Sequence, residues 1–144
     1  MKKSIYILLL LPIFFISCEI ETSNNGKLDG YWQLQSFDTL STGGVCDMSK
    51  SGIYWCVEKD LLLVRNIKKG ERILFRFKQS ENTLSIHSPH VFGGQQYETI
   101  PLEDESRLVP FGIHGTEDIY KVDKLSNSCL VLTDKQLRLR FRKY

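Results

Sequence analysis

The segment from Leu137 to Lys143 alternates without a break, with Leu137, Leu139 and Phe141 set against Arg138, Arg140 and Arg142. A period of two sends successive side chains to opposite faces of an extended chain, so this run predicts a strand with one apolar and one cationic face. The same period recurs upstream. Gly30 to Asp38 places Trp32, Leu34 and Ser36 on one face, and Arg72 to Lys78 sets Ile73, Phe75 and Phe77 against Arg72 and Arg76. Ile53–Lys59 and the nearly continuous apolar run Leu61–Asn66 read as two more strands. Turn-rich Gln79-Ser80-Glu81-Asn82 leads into Leu84 and Ile86. Asp118–Leu125 carries Tyr120 and Val122, and Ser126-Asn127-Ser128 turns into Leu130 and Leu132.

Short strands joined by tight polar turns predict an all-β antiparallel meander. A single open sheet would leave an apolar face bare and two edges unpaired, and no helical run is long enough to cover that face. Closure into a small barrel of about eight strands resolves both difficulties. Two segments interrupt the meander. Thr39–Gly52 is Gly/Ser-rich and is expected to cap one barrel mouth. Thr99–Gly115 holds Pro101, the acidic run Glu103-Asp104-Glu105 and then Leu108 to Ile113. It is expected to make a helical turn that brings Phe111 and Ile113 against the core, with Phe111 also a candidate to face a ligand or partner.

The N-terminus carries a different instruction. Lys2 and Lys3 precede the apolar run Ile5–Ile16, and Ser17-Cys18 follows. A basic start, a short apolar stretch and a small residue before a cleavage point form a secretory signal. The run is shorter than the roughly 20 residues of a spanning helix. Phe15-Ile16-Ser17-Cys18 resembles a bacterial lipobox, with Phe15 where Leu is usual. Residues 1–17 are therefore read as a lipoprotein-type signal peptide and Cys18 as the lipidated first residue of the mature chain. Residues 18–28 are read as a polar tether, and 29–144 as the domain. This places the protein in the cell envelope as an outer-membrane lipoprotein, attached through lipid at Cys18. Removing residues 1–17 takes away Lys2 and Lys3, so basic residues come to match the 17 acidic ones. A formally neutral domain has no field to draw nucleic acid.

Gly30-Tyr31-Trp32 at the start of the first strand resembles the G-x-W motif of lipocalins and their short bacterial relatives. Ile53-Tyr54-Trp55, Leu61–Val64, Pro110-Phe111-Gly112-Ile113 and Leu137–Lys143 extend the resemblance to small lipocalin-like domains of Gram-negative outer-membrane lipoproteins. The resemblance implies a lipocalin-like barrel in which Trp32 plugs one end and a late arginine packs over it as a cation on an aromatic face. Arg138, Arg140 and Arg142 are the candidates, with Arg140 preferred. The chain ends on a strand, without the C-terminal helix of larger lipocalins.

Little in the sequence points to catalysis. There is no G-x-S-x-G and no Cys–His spacing of a known nucleophile, and no acid pair stands out for glycoside chemistry. His87 and His90 flank Pro89, and His114 lies far along the chain, so the three histidines are read as solvent-facing and no metal or other cofactor is expected. Gly93-Gly94 is read as a hairpin turn. Adjacent Tyr54 and Trp55 must face opposite ways on a strand, which makes one of them a candidate ligand- or partner-facing aromatic. Cys46 and Cys56 are the preferred disulfide pair, with Cys129 left over. The sequence thus supports a non-enzymatic, lipid-anchored envelope binding module for an unknown small apolar ligand or envelope protein. The alternative is an interaction or inhibitor lipoprotein that works through its long loops with no small-molecule pocket.

Overall fold

The computed structural model describes residues 23–95 and 97–144. The signal segment 1–17, Cys18 and the first part of the tether lie outside the described residues. Ten strands run β1 Gly30–Thr39, β2 Val45–Asp47, β3 Ile53–Glu58, β4 Leu61–Asn66, β5 Glu71–Ser80, β6 Thr83–Phe92, β7 Thr99–Pro101, β8 Asp118–Leu125, β9 Cys129–Thr133 and β10 Leu137–Lys143. All pairings are antiparallel, and β10 returns to pair with β1. Eight strands therefore close into a ring in the order β1-β3-β4-β5-β6-β8-β9-β10. Closure removes the edges an open sheet would expose. Short β2 and β7 stand outside this ring, on β1 and β6.

The ring strands keep an inward apolar row only because three bulges correct it. The β1–β10 register shifts between Leu34 and Ser36. Trp32 and Leu34 point inward above the shift, and below it Phe37, not the expected Ser36, packs against the core. An extra residue in one strand reverses the parity of everything beyond it. In β6 the same device works around Ser88, which has φ +55°, and Pro89. Leu84 and Ile86 are buried before it, Pro89 and Val91 after it. The bulge is also where a proline is tolerated within a strand. A third shift in β8, between Val122 and Lys124, leaves both Val122 and Leu125 against the core.

The two ends of the barrel are closed differently. At the near end Trp32 is 0% exposed, and its indole N–H donates to the Leu28 carbonyl at 2.7 Å. Residues 23–28, the described end of the expected tether, are fastened here. Leu28 is buried, and the Asn25 amide donates to the Lys59 carbonyl at 2.6 Å. At the far end a 3₁₀ helix, Glu105–Phe111, crosses the opening and seats Leu108, Phe111 and Ile113 in the core. Asp104, from the acidic run Glu103-Asp104-Glu105, caps this helix by accepting from the Ser106 N–H. Those Ser106 hydrogen bonds hold its carboxyl below the usual carboxylate range. Gly112 ends the helix at φ +79°, with Leu139 and Phe37 side chains where a Cβ would go. Thr39–Gly52 does not cap a mouth. It folds β2 as an exposed ribbon on β1, because Phe37 to Asp38 have β10 on one side and a free edge on the other. Among the described residues, no helix is long and apolar enough to cross a membrane.

Candidate functional site

The barrel has no open interior at its centre. Trp55, 1% exposed, points inward with Tyr120 and Phe141 against it, at ring-centroid distances of 5.7 and 5.1 Å. Leu34, Leu62, Val64, Ile73, Phe75, Leu132 and Leu139 have no accessible surface at all, so no void large enough for water borders them. Trp55 and Phe111, two of the three candidate ligand-facing aromatics, are thus core residues. Strand parity decides Trp55, and the 3₁₀ helix decides Phe111.

Tyr54, the third, faces out. It lies on a wall whose outer surface is apolar because β4 is apolar on both faces. Leu62 and Val64 fill the core, while Leu61 and Leu63 look outward. Cross-strand register aligns Tyr31, Cys56, Leu63 and Leu74 in one outer row and Gln33, Tyr54, Arg65 and Arg72 in the next. A depression of about 210 Å³ opens on this wall, lined by Tyr31, Tyr54, Arg65, Ile67 and Tyr144. Tyr31 is 53% exposed and Tyr144 82%. Tyr144 meets Tyr54 edge-to-face at 5.7 Å and is held by its N–H donating to the Tyr31 carbonyl at 2.9 Å. The Arg65 Nε–H is buried and has no acceptor. A second depression of about 350 Å³ shares Tyr31 and continues over Cys56, Leu61, Leu63 and Leu74. Burial pushes the Cys56 thiol up to about 11, with the Arg65 charge opposing the shift, so the thiol stays neutral at physiological pH. The surface is therefore an aromatic and aliphatic strip with one unsatisfied guanidinium donor.

Tyr31, Arg65, Ile67 and Tyr144 were not singled out from sequence. The available signal was Leu61–Val64, since four successive apolar residues on a strand leave two facing outward. The x position of G-x-W, Tyr31, carries the same outward parity.

Other expected residues fall elsewhere. The cation over Trp32 is Lys143, with Nζ 5.0 Å from the ring centroid, and not Arg140. Register sets Lys143 opposite Trp32 and Arg140 opposite Ser36, and the outward-facing Arg140 pairs with Asp38 at 2.9 Å. The backbone explains the glycine of the motif, and the Lys143 side chain adds only a contact that it could relieve by moving. Gly30 has φ +121°, and a Cβ there would lie 2.8 Å from Lys143 Cε. Cys46, Cys56 and Cys129 are all free thiols. Cys46 sits opposite Phe37 and Cys56 opposite Tyr31, at separate places along β1 and on different partner strands. Six residues of strand, about 20 Å, separate those positions, far beyond the Cα spacing a disulfide spans. His87 and His90 each meet Ser88, through its hydroxyl and carbonyl respectively. His114 lies at the far end beside Asp118 and Asp134.

Residues 13–144 match the family described as a lipocalin-like domain. Among solved structures, the chain is similar to a lipocalin-like protein from Bacteroides uniformis, with a TM-score of 0.63 and 21% identity over 83% of this chain and 100% of that one. It is also similar to an uncharacterized protein from Bacteroides eggerthii, with a TM-score of 0.60 and 21% identity over 81% of this chain and 98% of that one. No curated protein matches the sequence.

Proposed function

Because the chain belongs to the lipocalin-like domain family, we propose that it is a non-enzymatic binding module of the cell envelope that works through its outer wall. In this reading Cys18 carries the lipid that holds it to the outer membrane. The occupant of the wall is an envelope protein that presents an acidic side chain or carboxylate to Arg65 and an apolar surface to Tyr31, Tyr54 and Tyr144.

The observation that carries this reading is an outer depression whose Arg65 Nε–H has no acceptor, beside an interior whose own unpaired donor, the Trp55 indole N–H, is packed among Tyr120 and Phe141. A buried guanidinium N–H without an acceptor costs free energy until a partner supplies one, and carboxylate is the group its planar fork fits best. Tyr and Arg are also the side chains that most often dominate the energy of protein interfaces. A small apolar ligand inside the barrel would instead have to displace Trp55, Tyr120 or Phe141.

A photo-crosslinking residue at position 54, in the full lipidated chain in cells, tests the proposal against the same residue at Lys121. Lys121 lies on β8, which is not among the strands of the proposed wall. A discrete crosslinked species at 54 but not at 121, lost in Arg65→Gln, is the expected result. Equal patterns at both positions would overturn the outer-wall reading. A saturable change in tryptophan fluorescence on adding palmitate would favour the interior instead.

A further inference from the structure

We propose that His114, Asp118 and Asp134 form a binding site for a divalent transition-metal ion at the far end of the barrel. The three come from separate segments. His114 follows the 3₁₀ helix, Asp118 opens β8 and Asp134 sits in the turn between β9 and β10. One ligand atom from each lies within 4.8 Å of the other two. His114 Nδ1 stands 2.7 Å from Asp134 Oδ2 and 3.6 Å from Asp118 Oδ2. Ligands of a tetrahedral ion with bonds of about 2.0–2.1 Å are roughly 3.3 Å apart, so small side-chain shifts would suffice to admit the ion.

The decisive atom is Asp134 Oδ2. The Asp134 side chain is 5% exposed, and this oxygen has no hydrogen-bond donor. The imidazole nitrogen is close, at 2.7 Å, yet the contact does not have hydrogen-bond geometry, so this oxygen's one near partner is not aligned to it. A buried carboxylate oxygen left in this state is costly, and a cation placed between the three atoms removes the cost.

The carboxylates are already oriented for that role. Asp134 Oδ1 accepts from the N–H groups of Gln136 and Leu137, each at 2.7 Å, which leaves Oδ2 facing the cluster. Asp118 Oδ1 accepts from the Ile119 N–H at 3.0 Å. Its Oδ2 accepts from the His114 N–H at 3.1 Å and from the Tyr120 hydroxyl at 2.8 Å. That hydroxyl is buried, and burial beside Asp118 raises its pKa so that it remains a donor. Outer partners that fix the ligating groups are the usual mark of a prepared metal site.

The donor set narrows the ion. One imidazole nitrogen and two carboxylate oxygens suit Zn²⁺, Mn²⁺ or Fe²⁺, whereas Ca²⁺ takes six to eight oxygens. A divalent charge also balances both carboxylates, which a protonated imidazole alone would not. The depression over the cluster, about 310 Å³, is lined further by Glu117 and Lys135 and leaves open coordination positions for water.

Zn²⁺ and Mn²⁺ titrated into the mature chain, in competition with a chromogenic chelator, test the proposal. Thiols are alkylated beforehand so that Cys46 cannot compete. One ion per chain is expected. His114→Gln and Asp134→Asn should each weaken it at least tenfold, and His87→Ala/His90→Ala should leave it unchanged. Asp134→Asn keeps the Oδ1 acceptor of its turn, and circular dichroism checks that each variant is folded. Mn²⁺ should selectively broaden the NMR signals of His114 and Tyr120. Failure to bind either ion stoichiometrically, or binding unaffected by both ligand substitutions, would overturn the site. None of these readouts depends on the outer wall of β3 and β4.

Discussion

The two ends of this barrel solve one problem with different materials. The near end is shut by side chains of the ring strands themselves, Trp32 from β1 beneath Lys143 from β10, with Leu28 folded against them. The far end is shut by an inserted segment, and its fit depends on backbone conformation at Gly112 and on the Tyr120 hydroxyl, shared between the Gly112 carbonyl and Asp118. A closure made from the sheet is as stable as the sheet. One made from an insert is able to open locally while the strands stay paired. The difference places a clamp of ring-strand side chains at one end and an insert held by polar hydrogen bonds at the other.

Substitutions can break or sharpen this comparison. Trp32→Ala should have the largest effect, about 3–5 kcal/mol in urea denaturation, and it should lower global stability without a separate local opening. Gly112→Ala should cost about 1–3 kcal/mol, from the positive φ and the crowding by Leu139. Its signature is local: hydrogen exchange should accelerate in 99–117 before the strands respond. Uniform acceleration would erase the distinction between the ends. Tyr120→Phe removes one buried donor and should cost about 1–2 kcal/mol, again with most of the added exchange at the far end. Lys143→Met keeps the packing over Trp32 and loses the charge, for about 0.5–1 kcal/mol. Cys56, on the wall between the ends, should contribute least. Its folded pKa, about 11, lies above the ordinary 9.0. The stability tied to the neutral thiol is therefore complete below pH 9 and declines as pH rises through 11. A pH series of the denaturation midpoint, compared with Cys56→Ala, measures that decline.

The ends also differ in how far they can be read from residues alone. β4 and β10 follow the alternation of their sequences to the residue, and the closing role of Trp32 is visible in G-x-W. The covering cation is Lys143 and not Arg140 because the alternation of β10 turns Arg140 outward and sets Lys143 on the face of Leu139 and Phe141, a distinction the periodicity already carried. What periodicity does not carry is the bulge near Gln35, which turns Phe37 inward in place of Ser36. β2 and β7 are three residues each, too short for a pattern, and all six residues are exposed. The cluster at the far end was hidden for another reason. Nothing local links His114 to Asp134; they meet because the chain turns back at residues 134–136 and the 3₁₀ helix ends where it does. On the outer wall, the apolar run of β4 announced a two-faced strand, but the role of Arg65 depends on which neighbours lack an acid, and that is a property of register.

The pairing of β1 with β10 has a consequence for how the molecule is made. Arg140 meets Asp38 across 102 residues of chain, and Arg142 meets Gln33 across 109. Contacts of that span form late and slowly, because nearly the whole chain must be ordered before they repay the loop entropy. During synthesis the ring cannot close until the seven-residue strand β10 emerges. Until then β1 and β9 present bare edges, the surfaces most prone to pair with another chain. A chain shortened by those few residues would keep almost all of its core-forming side chains and still be left without a closed shape.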